Sequence, residues 1–218
     1  MLFRWKVHEL SKLGSINPLE NKNRGIVPIL CIDDEGLPYE NILRNHNFNI
    51  RVLNDIEDIK ATSDYPVVIC DIKGIGSKLG SKFEGGHIIE EIKKNYPDKV
   101  VIAYTGQQFD ARYNKFFSMC DFVLTKDVDS DNWVSILDET ISKVVSPIEQ
   151  WNRIRNYLYA HDVSTRKLFE LEQEYIGAII NKDKTKFGKS KTIEGLSSDV
   201  RSVLNGFVSS LIFKILIG

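Results

Sequence analysis

The sequence lacks the features that mark secreted, membrane-spanning or polyanion-binding proteins. Cysteine is scarce, with only Cys31, Cys70 and Cys120 among 218 residues. Because the count is odd and each cysteine lies in or beside an apolar run, we expect reduced thiols in a cytoplasmic protein rather than a disulfide framework. The 29 basic and 30 acidic side chains nearly cancel, giving a formal net charge of −1. Such a balance provides no overall attraction to nucleic acid or to anionic membranes.

Long hydrophobic runs are also missing. Charged residues interrupt the apolar residues of segment 1–13, so this segment does not predict a signal peptide. The last segment becomes apolar towards its end, but it contains Asn205 and Lys214. Its apolar part falls short of the roughly 20 residues that span a bilayer. We expect it to pack in a helical bundle or a dimer, and binding to a membrane surface is the alternative.

What the sequence does contain is a series of short apolar runs. The first, Ile26–Glu35 (IVPILCIDDE), has no polar alternation before its acidic end, which is typical of a strand covered on both faces in a parallel sheet. Four more strands are predicted at Ile50–Leu53, Tyr65–Cys70, Val100–Tyr104 and Phe122–Leu124. Helical stretches alternate with them at 36–47, 56–59, 88–96, 109–119 and 133–144. This alternation predicts an α/β fold, a doubly wound parallel sheet of five strands in the flavodoxin-like order 2-1-3-4-5 with helices on both faces.

The chain divides into three parts on these patterns. Residues 1–25 form a leader that we expect to pack against the α/β domain, 26–147, which follows it. The last part, 148–218, shows helical periodicity and no strand signal, so we predict an all-α region there. Within it, Lys182–Lys191 is predicted to be a solvated loop with five lysines, and Ser197–Ile217 a single final helix.

The chemically active candidates fall at the carboxyl ends of predicted strands, where ligands bind in open α/β sheets. They are Asp33, Asp34, Asp71, Thr105 and Lys126. Strands one and three flank the point where the strand order reverses, so we expect the three carboxylates to converge. Carboxylates that lie so close together need a cation to stay ionised, and an all-oxygen acidic site suits Mg²⁺. With a hydroxyl and an ammonium group nearby, the arrangement favours phosphoryl transfer onto an aspartate.

In these motifs Ile26–Pro147 resembles the receiver domain of response regulators. The likeness rests on IDDE at 32–35, on Asp71 after VVIC, on YTG at 104–106 and on LTK at 124–126. Each motif alone is common, but here they follow one another in the family's order, each at the end of a predicted strand. The resemblance implies a flavodoxin-like fold and a role in two-component signal transduction.

The resemblance also implies a role for each residue of the cluster. Asp71 would accept a phosphoryl group from a histidine kinase or a phosphotransfer protein. Asp71 and Asp34 would bind Mg²⁺ directly, together with the backbone carbonyl of Lys73. Asp33 would act on the metal through water. The two side chains that would hold the phosphoryl oxygens are those of Thr105 and Lys126.

Three positions depart from the family's pattern. Asp127 follows the lysine where proline is usual, and Gly74 replaces a proline in the loop after the third strand, which is longer than usual. Val123 stands where the family carries an aromatic residue on the fifth strand. The rotating aromatic switch of the family therefore needs another carrier, and Phe122 or Tyr104 is the candidate.

The function predicted from these residues is that of a cytoplasmic, phosphorylated switch that relays its state to the helices of 148–218. It would catalyse at most its own phosphorylation and dephosphorylation, and it is otherwise not an enzyme. The final helices would also allow a homodimer. The competing prediction is a pseudo-receiver, a scaffold that keeps the fold and is never phosphorylated, which Asp127 and Val123 favour.

Two further functions are weaker predictions. A phosphatase of the haloacid-dehalogenase type would need a second aspartate two residues after Asp71 as general acid, and Lys73 stands there. Nucleic-acid binding would use the basic tail residues Lys184, Lys186 and Lys189. Few aromatic residues interleave with these lysines and no helix-turn-helix pattern is evident, so a solvated loop is the preferred interpretation.

Overall fold

The computed structural model of the protein describes residues 7–16, 24–106 and 110–218. The described residues form two compact units. Those within Asn21–Val144 make up the first, which we call the α/β unit. Those within Met1–Glu20 and Val145–Gly218 make up the second, which we call the helical unit.

A five-stranded parallel sheet forms the centre of the α/β unit. Its strands are β1 (Pro28–Ile32), β2 (Asn49–Leu53), β3 (Val67–Asp71), β4 (Val100–Thr105) and β5 (Phe122–Thr125). They lie in the order β2-β1-β3-β4-β5, and each neighbouring pair is parallel. The predicted fold class and strand order are therefore confirmed. Strands β1 and β3 pair directly, with Ile32 opposite Cys70, so the residues that follow them leave the sheet side by side.

Within 24–106 and 110–144, four α-helices accompany the sheet: α1 (Glu40–Asn45), α2 (Glu84–Asn95), α3 (Asn114–Phe117) and α4 (Ser130–Val144). The helix predicted over 36–47 is shorter in the structure, and two other predicted helices are wholly or partly 3-10 turns. The segment marked by Ile56 and Ile59 is only a 3-10 turn, Ile59–Thr62, which Asp58 caps by accepting a hydrogen bond from the Lys60 N–H. The helix predicted over 109–119 is a 3-10 turn, Ala111–Tyr113, followed by the single turn of α3, and residue 109 lies outside the described residues.

Side chains alternate along each strand between the two faces of the sheet, and both faces are covered. Helices α2 and α3 pack on one face around a core whose sheet residues include Ile32, Cys70 and Ala103. On the other face Tyr104 of β4 packs edge-on against Trp133 of α4, with ring centroids 5.3 Å apart. Asp33 and Asp71 share the alternation of Tyr104, so their side chains emerge on this second face, at its carboxyl edge.

Two adjacent glycines fix how closely α2 approaches the end of β3. A Cβ atom on Gly85 would lie 1.8 Å from the Asp71 carbonyl oxygen. A Cβ atom on Gly86 would lie 2.5 Å from the Phe116 ring. The Gly85 N–H also donates a hydrogen bond to the Ile72 carbonyl, at 3.2 Å. Only glycine allows this contact, which holds the backbone that carries Asp71.

The helical unit contains six α-helices among its described residues: α5 (Pro147–Ala160), α6 (Thr165–Asn181), α7 (Lys184–Gly188), α8 (Lys191–Glu194), α9 (Ser198–Ser209) and α10 (Leu211–Ile217). The buried core of this unit includes an aromatic cluster whose members are Trp151, Tyr175, Phe187, Phe207 and Phe213. The Tyr175 hydroxyl donates a hydrogen bond to the Pro147 carbonyl, at 2.8 Å, which satisfies the one polar group of that side chain.

Two predictions for this unit are wrong. The segment Lys182–Lys191 is not a loop, because it contains the short helix α7, capped by Asp183, and ends where α8, capped by Ser190, begins. The predicted final helix is broken at Ser210, whose side chain caps α10 by accepting the Phe213 N–H. Among the described residues no single helix is long and apolar enough to cross a membrane, and α9 with α10 meets that test only as a pair bent by 57°.

The prediction for the leader is right for Arg24, which pairs with Asp138 of α4 at 2.6 Å, and wrong for residues 7–16; residues 1–6 and 17–23 lie outside the described residues. Residues 7–16 belong to the helical unit, where the 3-10 helix Leu10–Ser15 contacts α5 and α6 and buries Leu13. Gln173 of α6 accepts a hydrogen bond from the His8 N–H at 2.7 Å and donates one to the His8 carbonyl at 2.9 Å. This reciprocal pair fixes the leader by main-chain contacts, which its apolar pattern alone does not specify.

A buried lysine, Lys99, lies at the amino edge of the sheet, opposite the edge that carries the aspartates. The Lys99 ammonium donates hydrogen bonds to the carbonyl oxygens of Ser63 and Tyr65, at 2.8 and 2.9 Å. The side chain is almost fully buried, and burial lowers the pKa of Lys99 from 10.5 to about 8. A protonated lysine here is therefore costly to bury.

Because Lys99 loses its proton more easily in the folded state, the free energy of unfolding should increase as the pH rises. Between pH 8 and 10 the unfolded chain keeps the Lys99 proton that the folded chain has lost, so unfolding becomes less favourable as pH increases, by at most about 1.4 kcal/mol per unit. From pH 7.5 to 9.5 we expect the free energy of unfolding of the wild type to increase by about 1–2 kcal/mol relative to that of Lys99→Met. Urea denaturation measures it, with exposed Lys94→Met as the control; a difference that is constant with pH would contradict the assignment.

Candidate functional site

Three aspartates meet at the carboxyl edge of the sheet. Asp33 and Asp34 follow β1, and Asp71 ends β3. One carboxylate oxygen of each lies within 4.8 Å of the corresponding oxygens of the other two. Asp33 and Asp71 are buried, whereas Asp34 is exposed. The Asp33 N–H donates to the Leu53 carbonyl at 3.0 Å, so the ladder between β1 and β2 holds Asp33 in place.

Lys126 brings an ammonium group from the end of β5 to this cluster. Its Nζ lies 2.7 Å from Asp71 Oδ2 and 3.2 Å from Asp33 Oδ2. A third carboxylate, Glu35, lies 3.2 Å away on the solvent side. Burial alone would lower the pKa of Lys126, but the contacts with Asp71, Glu35 and Asp33 together outweigh it and the pKa is raised. The lysine therefore stays charged at neutral pH. Its backbone N–H donates to the Thr105 carbonyl at 2.9 Å, which ties β5 to β4 at this point.

The site holds more negative charge than its lysine can balance. Burial raises the pKa of Asp33, and the neighbouring charge of Asp71 raises it further. A hydrogen bond of 2.9 Å from the Glu35 N–H to Asp33 Oδ1 and the attraction of Lys126 oppose this rise. Asp33 Oδ2 is buried, and no well-oriented hydrogen bond reaches it from the residues that the structure describes. The oxygen donors, their spacing and the missing positive charge fit a small hard cation such as Mg²⁺.

Asp71 is nearly buried, yet it remains reachable. Its Oδ1 accepts hydrogen bonds from the N–H groups of Ile72 and Lys73, at 2.6 and 3.3 Å, and its Oδ2 faces Lys126. A cavity of about 240 Å³ opens above it. The cavity is lined by Asp34, Glu35, Asp71, Lys73, Gly74, Gly106 and Lys126. This volume admits a phosphoryl group beside the carboxylate.

Gly74 explains one departure from the receiver pattern. Its φ is +79°, a value that proline, fixed near −65°, cannot adopt. A Cβ atom at this position would lie 2.5 Å from Asp34 Oδ2. The longer loop therefore passes directly against the Asp34 carboxylate, and it does so because residue 74 has no side chain.

The structure does not bring every predicted residue into the cluster. Thr105 is buried at the end of β4, but its hydroxyl donates to the Gly106 carbonyl at 3.3 Å, and it is not among the residues that line the cavity. Lys73 lines the cavity and donates its N–H to Asp71, while the role of its carbonyl oxygen as a metal ligand stays a prediction. Asp127 is exposed and accepts a hydrogen bond from the Thr125 hydroxyl, so its charge is engaged outside the cluster.

The aromatic residue beside the site is Tyr104. Lys126 Nζ lies 5.4 Å from the centre of its ring. Its hydroxyl is buried and finds no hydrogen-bond partner among the described residues, and burial raises the pKa of Tyr104 to about 12. Of the two residues suggested as substitutes for the missing aromatic, Tyr104 is the one in contact with the lysine. Phe122 instead lies under the Lys143 ammonium, at 4.7 Å.

Neither a protein-family model nor a curated protein matches this sequence. Comparison with solved structures finds a response regulator receiver domain protein (CheY-like) from Methanospirillum hungatei JF-1, with 18% identity and a TM-score of 0.45, over 54% of this chain and 95% of that one. The signal receiver domain of a Luxo repressor protein from Vibrio parahaemolyticus matches with 14% identity and a TM-score of 0.43, over 54% and 92% of the two chains.

A third match is the response regulator protein TrrA from Thermotoga maritima in complex with Mg(2+)-BeF. It has 20% identity and a TM-score of 0.39, over 52% of this chain and 98% of that one. These three solved structures are response regulator proteins or receiver domains, and the similarity of each covers about half of this chain.

Proposed function

We propose that the α/β unit is a phosphoacceptor switch of the two-component type, in which Asp71 accepts a phosphoryl group in a Mg²⁺-dependent way. One observation carries the proposal: the Lys126 ammonium lies 2.7 Å from Asp71 Oδ2, in a cluster where Asp33, Asp34 and Asp71 come within 4.8 Å of one another. Acidic clusters are common at protein surfaces. A buried aspartate that faces both a lysine and an open cavity is a much narrower arrangement.

The chemistry follows from the contacts of Asp71. An Asp71 carboxylate oxygen forms the new O–P bond while the bond from phosphorus to the donor breaks. When the donor is a phosphohistidine of a kinase or phosphotransfer protein, its imidazole nitrogen keeps the electron pair and takes up a proton. Lys126 stabilises the charge that develops on the phosphoryl oxygens, and the N–H groups of Ile72 and Lys73 hold Asp71 in position. Thr105 would complete the set after a rotation of its hydroxyl away from Gly106.

A magnesium ion would be held by Asp34, by Asp71 and by the Lys73 carbonyl, with Asp33 acting through water. When bound, it supplies the positive charge that offsets carboxylate repulsion and the charge on the phosphoryl oxygens. The switch would be a cytoplasmic signalling protein and not a metabolic enzyme. Its phosphorylated state would bias the docking of 148–218, or the pairing of two chains through the helical unit.

The first experiment separates a working switch from a pseudo-receiver. Beryllofluoride with Mg²⁺ mimics an aspartyl phosphate, so we expect it to shift the NMR amide signals of Ile72 and Lys73, whose N–H groups contact Asp71. Asp71→Asn should abolish the shifts, whereas Asp64→Asn, a change at the exposed amino side of β3, should keep them. Unshifted wild-type signals at saturating Mg²⁺ and beryllofluoride would favour the scaffold and reject the proposed function.

The second experiment uses the competition between Lys126 and the metal. Both are cations that bind Asp71, so Lys126→Met should tighten Mg²⁺ binding by on the order of 10-fold while it slows phosphoryl acceptance from acetyl phosphate. Calorimetric titration with Mg²⁺ measures the first effect and phosphate incorporation the second. Lys78→Met removes an exposed lysine outside the cavity and should change neither. Weaker Mg²⁺ binding by the Lys126 variant would contradict this account of the site.

A second candidate function belongs to the helical unit. The lysines of α7, α8 and their flanks are all exposed, and no ion pair engages them within the described part of the chain; they are Lys182, Lys184, Lys186, Lys189 and Lys191. Asp183, which lies between Lys182 and Lys184, caps α7, and Glu194 at the end of α8 is a second acidic residue of this surface. This surface could contact the phosphates of a nucleic acid.

Salt dependence tests the second candidate. If the lysines contact phosphates, affinity for a DNA duplex falls linearly with the logarithm of salt concentration. Changing Lys184, Lys186 and Lys189 together to Gln should reduce the slope by about 0.9 for each phosphate that is no longer neutralised. Fluorescence anisotropy with a labelled duplex measures both slopes. Absence of binding at low salt, or equal slopes for the two proteins, would reject the function.

A further inference from the structure

The loop that follows Asp71 is ordered by a residue to which sequence patterns assign no role. This loop, residues 72–83, contains the 3-10 turn Ser77–Leu79 and folds back so that Gly76 lies against the start of α2. A Cβ atom on Gly76 would lie 2.7 Å from the Glu84 carbonyl oxygen, and its φ is +79°. The loop therefore has one tightly determined path.

Asp55, just beyond the end of β2, binds this loop at several points. Its Oδ1 accepts hydrogen bonds from the N–H groups of Gly76 and of its own neighbour Ile56, at 2.7 and 2.8 Å. Its Oδ2 accepts from the Ser77 hydroxyl at 3.2 Å and, more weakly, from the Lys78 N–H at 3.5 Å. Burial would raise the pKa of Asp55, but the backbone N–H groups outweigh it and the pKa is lowered. The carboxylate is thus ionised at neutral pH, and both its oxygens hold the loop.

The segment that Asp55 binds, which begins at Gly76, is joined directly to the acidic cluster by the residues that precede it. Between Gly76 and Gly74 lies Ile75, which is fully buried in the same core as Ile56. Gly74 touches the Asp34 carboxylate, and the preceding Lys73 N–H donates to Asp71. A shift of Gly76 cannot be absorbed by Ile75 without repacking, so it would reach the cluster within two residues.

We infer that Asp55 is a positioning residue for the cation site: by fixing Gly76 and Ser77 it sets the path of Lys73 and Gly74, against which Asp34 and Asp71 are arranged. The inference rests on the proposed function, since it concerns the Mg²⁺ site of that function. Asp55 itself does not touch the cation. Partners that orient metal ligands from outside the coordination sphere commonly change metal affinity by about 10–100-fold.

Matched variants test the inference. Asp55→Ala removes all the hydrogen bonds to the loop, and Asp55→Asn keeps one acceptor oxygen for Gly76 and Ile56. Glu57→Gln is the control, because Glu57 pairs with the exposed side chain of Lys78 in the same loop, at 2.9 Å, without binding its backbone. We expect the Mg²⁺ dissociation constant, measured by calorimetry without any phosphodonor, to rise about 10-fold or more in Asp55→Ala. The Asn variant should lie between this value and that of the wild type, and the control should match the wild type.

Hydrogen exchange provides a second, geometric readout. The amides of Gly76 and Lys78 should exchange faster in Asp55→Ala, whereas the Lys60 amide, bound by Asp58, should not change. If Gly76 exchange rises while Mg²⁺ affinity stays at the wild-type value, Asp55 is only a structural residue and the inference fails while the proposed function stands. If the wild-type protein binds no Mg²⁺, the proposed function fails, and the inference with it.

Discussion

One ammonium group between two buried carboxylates is the interaction on which the site depends. Burying Asp33 and Asp71 side by side is unfavourable unless positive charge is supplied, and Lys126 supplies only one charge. The cluster therefore keeps an excess of negative charge, which is the condition under which the proposed cation would bind. The parallel sheet makes this arrangement possible, since it gathers the ends of β1, β3 and β5 at one edge.

Close backbone approach is the second constraint. Gly85 lets α2 begin directly against the Asp71 carbonyl, and Gly74 lets the loop pass against Asp34. Neither position tolerates a Cβ atom without movement of a neighbour. The geometry of the site therefore depends on residues that have no functional group, and a substitution there would disturb the site without altering a single charged side chain.

The sheet and most of the cluster were predictable because their signals are local. Each strand is a short apolar run, and each functional residue follows its run directly, as Asp71 follows VVIC.

Predictions failed where distant residues decide the outcome. The apolar pattern around Leu13 does not specify which unit it packs in, and the contacts that hold this segment, such as that of His8 with Gln173, come from far along the chain. Serine is compatible with a helix interior, so the sequence does not predict the break at Ser210. The structure shows the break, because the Ser210 side chain caps α10. The sequence around Asp55 is that of an ordinary turn, since its partners in the loop, Gly76 and Ser77, lie more than twenty positions away.

The central claim is that Asp71, and no other carboxylate of the cluster, becomes the aspartyl phosphate. Reductive trapping tests it most directly, because borohydride converts an aspartyl phosphate into homoserine at the modified position. After incubation of the full chain with acetyl phosphate and Mg²⁺, the account predicts homoserine at position 71 by peptide mass spectrometry, and none when Mg²⁺ is removed by chelation. Homoserine at position 33 or 34, or an unmodified Asp71 in the presence of Mg²⁺, would contradict it.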